Sequence, residues 1–170
     1  MPNTLTKEIK YTAVWGGGLA RMTSLNGRWV GIPTGHMAVN AVFGTSSDPD
    51  TSYTVSTTAD DLGGVIWSPL STIIVRKCRI YYGEGGSVNT THSVNLSKYD
   101  IDSEGDLTNG TIVGSTATDS GSDDYTTLAY TDLSVVANTV TSTQVLIAFI
   151  MCVDAINSSF TAKCIIEYTM

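Results

Sequence analysis

The chain has 170 residues, of which 42% are hydrophobic and 15% charged, and its formal net charge at pH 7 is −7. This composition excludes a disordered chain, because there is enough apolar material for a core and too little charge to keep the chain expanded. A chain of this length is expected to fold as one domain.

Serine and threonine occupy 43 positions and glycine 16, which favours strands joined by turns. Alternating apolar and polar residues predict strands throughout the chain, with turn residues and no helical period between them. In chain order, these strands are 7–15, 28–32, 37–43, 52–57, 71–82, 91–99, 110–117, 125–136, 140–153 and 160–169. We therefore predict an all-β protein, an antiparallel β-sandwich of jelly-roll type.

Charge divides the chain into two parts. Residues 1–47 carry four basic residues against one acidic residue, or +3, whereas residues 48–170 carry five against fifteen, or −10. An acidic body repels phosphate backbones, so nucleic acid is not an expected partner. We interpret 1–47 as an N-terminal strand and loop segment, extended and able to dock on a neighbour, and 48–170 as the sandwich body. Ordinary variation of surface charge is the alternative explanation of the division.

The N-terminal segment also holds two of the three tryptophans. Aromatic residues and arginine are frequent anchors of protein interfaces. The predicted interface residues are therefore Trp15, Arg21, Arg28 and Trp29. On this interpretation, removal of residues 1–20 is expected to leave a folded body that no longer binds its partner.

An acidic run, Asp100-Ile101-Asp102-Ser103-Glu104-Gly105-Asp106, places carboxylates at alternate positions as a calcium loop does. The twelfth position counted from Asp100 is Thr111 rather than glutamate, and no helices are predicted on either side. We interpret the run as a solvated acidic turn between two strands, with calcium binding left open.

No catalytic, cofactor or metal residues are predicted. His36 and His92 have no Ser, Cys or Asp at a spacing typical of a catalytic site. Three cysteines, Cys78, Cys152 and Cys164, lie inside predicted strands, and their odd number argues against a disulfide framework. They are expected to be reduced core residues, and the chain is not expected to be an enzyme.

One basic cluster, Arg76-Lys77-Cys78-Arg79, lies within a predicted strand. Strict alternation would place Arg76 with Cys78 and Lys77 with Arg79, so the cluster would not form one exposed patch, and Arg76 would pair with an acidic residue or lie at a subunit contact.

Tyrosines near strand ends, including Tyr81 and Tyr130, suit either edge packing or stacking on sugar rings.

Nothing in the sequence suggests a membrane or secretory protein. The longest apolar run, Val145 to Val153, has nine residues, about half the length of a spanning helix. The first eight residues lack the apolar stretch of a signal peptide, so synthesis in the cytoplasm is expected.

The stretch from Ser71 to Met170 resembles a known group of proteins. It combines the strand 72–82 followed by a glycine loop, the strand 94–102 with its acidic turn and Leu107, and a final pair of long strands rich in Thr and Val. In this it is similar to small jelly-roll virion proteins of tailed bacteriophages, most of all head decoration (cement) proteins, and more distantly to the β-sandwich heads of tail fibres. The resemblance carries over no individual functional residue.

The resemblance implies a structural protein on the outer surface of a capsid. Such a protein is a homotrimer that binds the major capsid protein and reinforces the shell. The alternative is the receptor- or carbohydrate-binding tip of a tail fibre or spike.

Overall fold

A computed structural model of the chain describes residues 8–20, 27–34, 41–55, 62–84, 92–116, 128–152 and 160–170. This part contains nine β-strands and one 3-10 turn at Leu62–Gly64, all strand pairings are antiparallel, and it contains no α-helix. The strands are β1 (Tyr11–Ala20), β2 (Val30–Gly31), β3 (Ile73–Glu84), β4 (His92–Ile101), β5 (Leu107–Ser115), β6 (Ala129–Val135), β7 (Thr139–Val140), β8 (Gln144–Cys152) and β9 (Phe160–Thr169). The prediction of an all-β sandwich is confirmed.

The strands lie in two four-stranded sheets that are joined along one side. The first sheet has the order β1-β9-β3-β6, the second has the order β5-β4-β8-β2, and β7 pairs with the start of β3. Two residue pairs between β5 and β6, Gly114 with Val135 and Ser115 with Ser134, connect the sheets. The result is one curled sheet that folds over on itself and encloses a core.

Strand pairing is nested along the chain. With β7 set aside, the first strand pairs with the last, β2 with β8, β3 with β6, and β4 with β5. The innermost pair is a hairpin that turns through the acidic residues 102–106, and each outer pair joins strands further apart in sequence. Most contacts of the fold are therefore long-range in sequence.

The inner faces of the two sheets form a core that we call the inter-sheet core. Aliphatic side chains predominate, with Trp15 from β1 at one side, where its ring stacks on Trp67 at a centroid distance of 5.7 Å. Its fully or nearly fully buried members include Ile73, Val75, Cys78, Ile80, Val94, Leu96, Val113, Val140, Leu146, Ala148, Ile150, Cys164 and Ile166. Burying each large aliphatic side chain contributes roughly 1.5–3 kcal/mol to folding.

A second cluster, the outer core, covers the opposite face of the second sheet. It consists of Trp29, Ala41, Phe43, Leu62, Val65, Tyr99, Leu107, Val145, Ile147, Phe149 and Met151. Strands β4 and β8 are therefore buried on both faces, which explains why residues 145–150 are continuously apolar rather than alternating.

The N-terminal segment predicted at 1–47 contributes strands to both sheets. Strand β1 pairs with β9 from Tyr11 opposite Tyr168 to Ala20 opposite Phe160, and β2 pairs with β8. Because β1 forms the edge of the first sheet and supplies Trp15 to the core, the expectation that the body folds without residues 1–20 is withdrawn. The predicted docking of this segment on a neighbour stays a prediction.

Two predicted strands lie only partly within the described residues, at 41–43 and 52–55. Of the predicted strand 37–43, the described residues contribute one bridge, Val30 with Val42, and of 52–57 they contribute one bridge, Tyr53 with Leu107. Both segments cross over the outer core, where they bury Phe43 and Tyr53 against each other at 4.5 Å. Backbone hydrogen bonds also attach both segments to their neighbours, among them Phe43 N–H to the carbonyl of Trp29 at 2.8 Å and Tyr53 N–H to the carbonyl of Leu107 at 2.9 Å.

Candidate interaction surface

The outer face of the first sheet combines exposed apolar and charged side chains. Strand register places its residues in rows that cross β1, β9, β3 and β6. The rows are Thr12, Glu167 and Lys77; Val14, Ile165, Arg79 and Asp132; and Gly16, Lys163, Tyr81 and Tyr130. Each strand alternates, so the neighbours of these residues point into the inter-sheet core.

Ion pairs run across this face. The guanidinium of Arg79 donates two hydrogen bonds to the carboxylate of Asp132, at 2.6 and 2.7 Å, and lies 4.2 Å from the centroid of the Tyr130 ring. The ammonium of Lys10 donates to Glu167 at 3.0 Å. These hydrogen bonds hold the pKa of the Asp132 carboxyl, and that of Glu167, below their usual range.

A β-bulge brings the basic cluster of β3 onto one surface. Register shifts between Val75 and Lys77, so Arg76 is an extra residue, and both Arg76 and Lys77 are exposed. The expectation that alternation would separate these two cations is wrong for this reason. The predicted acidic partner of Arg76 is confirmed, since Arg76 donates a hydrogen bond to Glu8.

A groove crosses this face, which we call the outer groove. It consists of two adjacent depressions of about 600 Å³ and about 250 Å³, and both are lined by Tyr81 and Ile165. The larger depression lies at the end of the ladder between β3 and β6. The last pair of that ladder is Cys78 with Leu133, and beyond it β6 pairs with β5 instead. The smaller one is lined by Leu128 and Lys163.

Apolar side chains in and beside the outer groove are unusually exposed. Leu128 is 64% exposed, Tyr130 56% and Val14 50%. Exposed apolar residues that cluster beside charges are typical of interaction sites rather than of a solvated surface. The rings of Tyr130 and Tyr81 pack against each other at a tilt, with their centroids 5.6 Å apart, beside the outer groove.

The outer groove lies on a face of the first sheet that is net positive among the described residues. Five cations (Lys10, Arg76, Lys77, Arg79, Lys163) stand against three carboxylates (Glu8, Asp132, Glu167), which gives +2. Because the whole chain carries −7, all the remaining residues together carry −9. A partner attracted to this face by charge is therefore acidic.

The four predicted interface residues lie in different environments. Trp15 is 4% exposed in the inter-sheet core, and Trp29 is 2% exposed in the outer core, where its Nε1 donates to the carbonyl of Ser46 at 2.9 Å. Arg28 is exposed. Arg21 lies outside the described residues. The two indole rings act as core groups within this protomer, and the predicted role of all four as anchors stays a prediction.

Sequence analysis missed Leu128, Lys163 and Ile165 as members of a surface. A signal was present in β9, where Lys163, Ile165 and Glu167 alternate with Cys164 and Ile166, which are fully buried. Alternation of that kind indicates an outward face. Leu128, in contrast, joins the groove only through the pairing of β6 with β3.

Of the histidines and cysteines, His92, Cys78 and Cys164 are buried. His92 is buried with its ring 5.4 Å from that of Tyr82, and His36 lies outside the described residues. The sulfur atoms of Cys78 and Cys164 lie 3.8 Å apart in the inter-sheet core as free thiols, and burial raises the pKa of the Cys164 thiol. The described residues contain no group of three or more His, Cys, Asp or Glu that could hold a metal ion.

Hydrogen bonds within the protein engage three carboxylates of the acidic run, those of Asp100, Asp102 and Asp106. Oδ1 of Asp102 accepts from the backbone N–H groups of Glu104 and Asp106, each at 2.9 Å. The carboxylate of Asp100 accepts from Asn109 and Gln144, and these bonds lower the pKa of Asp100. The interpretation as an acidic turn fits this geometry, and its calcium binding is untested.

No helix among the described residues is long and apolar enough to cross a membrane. No protein-family model matches the chain, and no curated protein matches it. Among solved structures, the chain is similar to one chain in "Structure of infectious bursal disease virus Gx strain", with a TM-score of 0.38 and 8% identity. The similarity covers 96% of this chain and 29% of that chain, so this protein spans less than a third of its length. A TM-score this low carries no argument.

Proposed function

We propose that this protein is a structural virion protein, without enzymatic activity, that binds the outside of a tailed-bacteriophage capsid. In this proposal it is a homotrimer, its partner is the major capsid protein, and binding reinforces the shell. The proposed location is the capsid surface, after synthesis in the host cytoplasm.

The observation that carries the proposal is the nested pairing of the strands. Pairing β1 with β9, β2 with β8, β3 with β6 and β4 with β5 is what results when a long antiparallel ribbon rolls up into two sheets. We therefore propose the jelly-roll form of the sandwich, which virion proteins use often. That is also the fold implied by the resemblance of residues 71–170 to decoration proteins.

A mechanical role is consistent with how the terminal strands are held. Strand β1 pairs with β9, and β9 also pairs with β3 over Ile74 to Glu84, so both terminal strands are part of one sheet. Force applied to either terminal strand is resisted by a ladder of backbone hydrogen bonds together with the core side chains beneath it. Such a module suits reinforcement of a shell under internal pressure.

The test of capsid binding uses shells assembled from the major capsid protein of the same phage. Purified protein is titrated onto shells that lack it, bound protein is measured by sedimentation, and its position is determined by electron microscopy. Saturable binding on the outer surface is expected, and binding that is absent or confined to the tail would overturn the proposal.

A pair of variants tests the proposed anchor Arg28. Arg28→Glu is expected to weaken binding to the shell, because arginine at an interface centre is a frequent anchor and a reversed charge repels. Ser142→Glu adds an acid at another exposed position and serves as the control. Equal binding of both variants would remove Arg28 from the interface.

The alternative function, a receptor- or carbohydrate-binding tip, is favoured by one feature of the outer groove. The ring of Tyr130 is more than half exposed, and aromatic rings of this kind stack on sugars. A glycan array is the direct measurement. Specific glycan binding that Tyr130→Ala abolishes would establish the alternative in place of capsid decoration.

A further inference from the structure

The geometry points to a head-to-tail contact between copies of this chain. We propose that the outer groove of one copy receives the acidic turn between β4 and β5 of a second copy. This inference deepens the proposed function by naming the contact of the proposed homotrimer, and it rests on that self-association. It can be tested in solution without a capsid.

The outer groove offers an apolar floor and unpaired cations. Ile165 and Tyr81 line both depressions, and Leu128 is 64% exposed beside them. Among the described residues, Lys77 and Lys163 form no ion pair, whereas Lys10, Arg76 and Arg79 each have a carboxylate partner. Two ammonium groups are thus free to bind carboxylates of a partner.

The acidic turn offers the complementary chemistry. Ile101 is 46% exposed and Val55, which lies beside the turn, is 38% exposed. Asp102 and Glu104, which follow Ile101 in the turn, are both exposed. An apolar residue next to carboxylates fits a groove with an apolar floor next to ammonium groups.

The turn is also fixed in shape before any contact forms. The Asp102 carboxylate bonds two N–H groups of the turn, and Oδ1 of Asp106 accepts from the N–H of Val55 at 2.8 Å. A rigid turn loses little conformational entropy when it binds. The carboxylate of Glu104 accepts no hydrogen bond from the described residues, so it is available to a partner.

Topology requires that the turn and the groove come from different copies. The turn joins β4 and β5 in the second sheet, whereas the groove lies on the outer face of the first sheet, beyond the inter-sheet core. A symmetric contact of groove with groove would instead bring two faces of +2 together, which repel. A head-to-tail contact is heterologous, and such contacts close into rings when the rotation allows.

Two variants test the contact, one on each side. The groove variant is Leu128→Glu with Lys163→Glu, and the turn variant is Ile101→Lys with Glu104→Lys, which leaves the Asp102 hydrogen bonds intact. The control is Thr45→Glu with Ser47→Glu, which adds two acids to an exposed loop that follows Phe43 of the outer core, on the other side of the molecule. Circular dichroism and thermal unfolding verify that each variant is folded.

The measurement is mass in solution by sedimentation over a range of concentrations. The wild type is expected to form a whole-number multiple of the 18.0 kDa chain, with three copies for a closed ring. Each contact variant is expected to associate at least about tenfold more weakly, since like charges at an interface cost more than about 1.4 kcal/mol. The control is expected to associate as the wild type does.

Mixing the variants gives the most specific result. The turn variant keeps an intact groove and the groove variant keeps an intact turn, so an equimolar mixture is expected to form mixed complexes that neither variant forms alone. Any of three results would overturn the inference: association weakened in the groove variant but not in the turn variant, no mixed complexes in the equimolar mixture, or a wild type that stays monomeric. A wild-type monomer that still binds capsids would overturn this contact and the trimer but leave capsid decoration standing.

Discussion

The two sheets of this protein differ in how many of their faces are buried. The second sheet is covered on both sides, by the inter-sheet core and by the outer core, and seven consecutive residues of β8, 145–151, are buried. The described residues cover the first sheet on one side only, and its other side carries ion pairs, the half-exposed ring of Tyr130 and the outer groove. Among the described residues the second sheet is thus the more deeply buried layer, and the first sheet carries the face on which the proposed contact lies.

This difference explains where polar residues are tolerated. A face that closes a core needs apolar residues, because burying an unpaired polar group costs on the order of 1–3 kcal/mol. On the outer face of the first sheet, Arg79 and Asp132 can pair in solvent at little cost. Substitutions on the two sheets should therefore have very different effects on stability, and the following predictions test this from the largest effect to the smallest.

Adjacent residues of β1 give the largest contrast within the first sheet. Trp15→Ala should lower the free energy of unfolding by about 3–5 kcal/mol, because it leaves a cavity beside Trp67 in the inter-sheet core. Val14→Ala, on the outer face, should cost less than about 1 kcal/mol. Urea unfolding measures both, and similar values for the two variants would contradict the assignment of faces.

The outer core is tested by Trp29. Trp29→Ala should cost about 3–5 kcal/mol, as for Trp15, if the outer core unfolds together with the sheets. Trp29→Phe retains most of the packing and loses the hydrogen bond to Ser46, so it should cost about 1–2 kcal/mol. If Trp29→Ala leaves the free energy of global unfolding unchanged and only speeds amide exchange in 41–53, the outer core unfolds separately from the two sheets.

A glycine tests how closely the segment 51–53 packs on β5. A Cβ atom at Gly110 would lie 2.7 Å from Cα of Thr51 and 2.6 Å from Cε1 of Tyr99. Gly110→Ala should therefore cost about 1–3 kcal/mol through overpacking. Gly83→Ala is the matched control in β3, since its Cβ would meet atoms no closer than 3.6 Å, and it should be nearly neutral.

Ionisation of the Tyr99 hydroxyl is expected to make the stability of the protein depend on pH. Its hydroxyl donates to the carbonyl of Asp50 at 2.8 Å, and burial, with the charge of Asp50, raises the pKa of Tyr99 above its usual value of about 10. The unfolded chain therefore loses this proton first, and stability should fall as the pH rises above about 10. Tyr99→Phe should cost about 1 kcal/mol at pH 7 and show a weaker fall at alkaline pH. Parallel pH dependence in both proteins would exclude Tyr99 as the cause.

Much of the fold follows from the sequence, because strands and their separators have distinct compositions. The continuous apolar run of β8 predicts a strand buried on both faces, and alternation in β9 predicts one exposed face. The bulge at Arg76 has no such signal, and it reverses which residues share a face. Trp15 and Trp29 stand out in the sequence by type, but which way each ring points depends on strand register, which distant partners determine.

The smallest effect is expected for an ion pair on the exposed face. Hydrogen bonds from Arg79 hold the pKa of Asp132 below its usual value, so this carboxylate stabilises the folded state at neutral pH and loses that contribution as the pH falls below about 4. Both partners are exposed to solvent, which screens the pair. Asp132→Asn should therefore lower the melting temperature at pH 7 less than Trp15→Ala, Trp29→Ala, Gly110→Ala or Tyr99→Phe does, and the difference from the wild type should shrink as the pH falls below about 4. A loss as large as that of Trp15→Ala would contradict the assignment of this pair to a solvent-exposed position. Repeating the melt in the Leu128→Glu, Lys163→Glu background would then show whether a contact between copies is the cause.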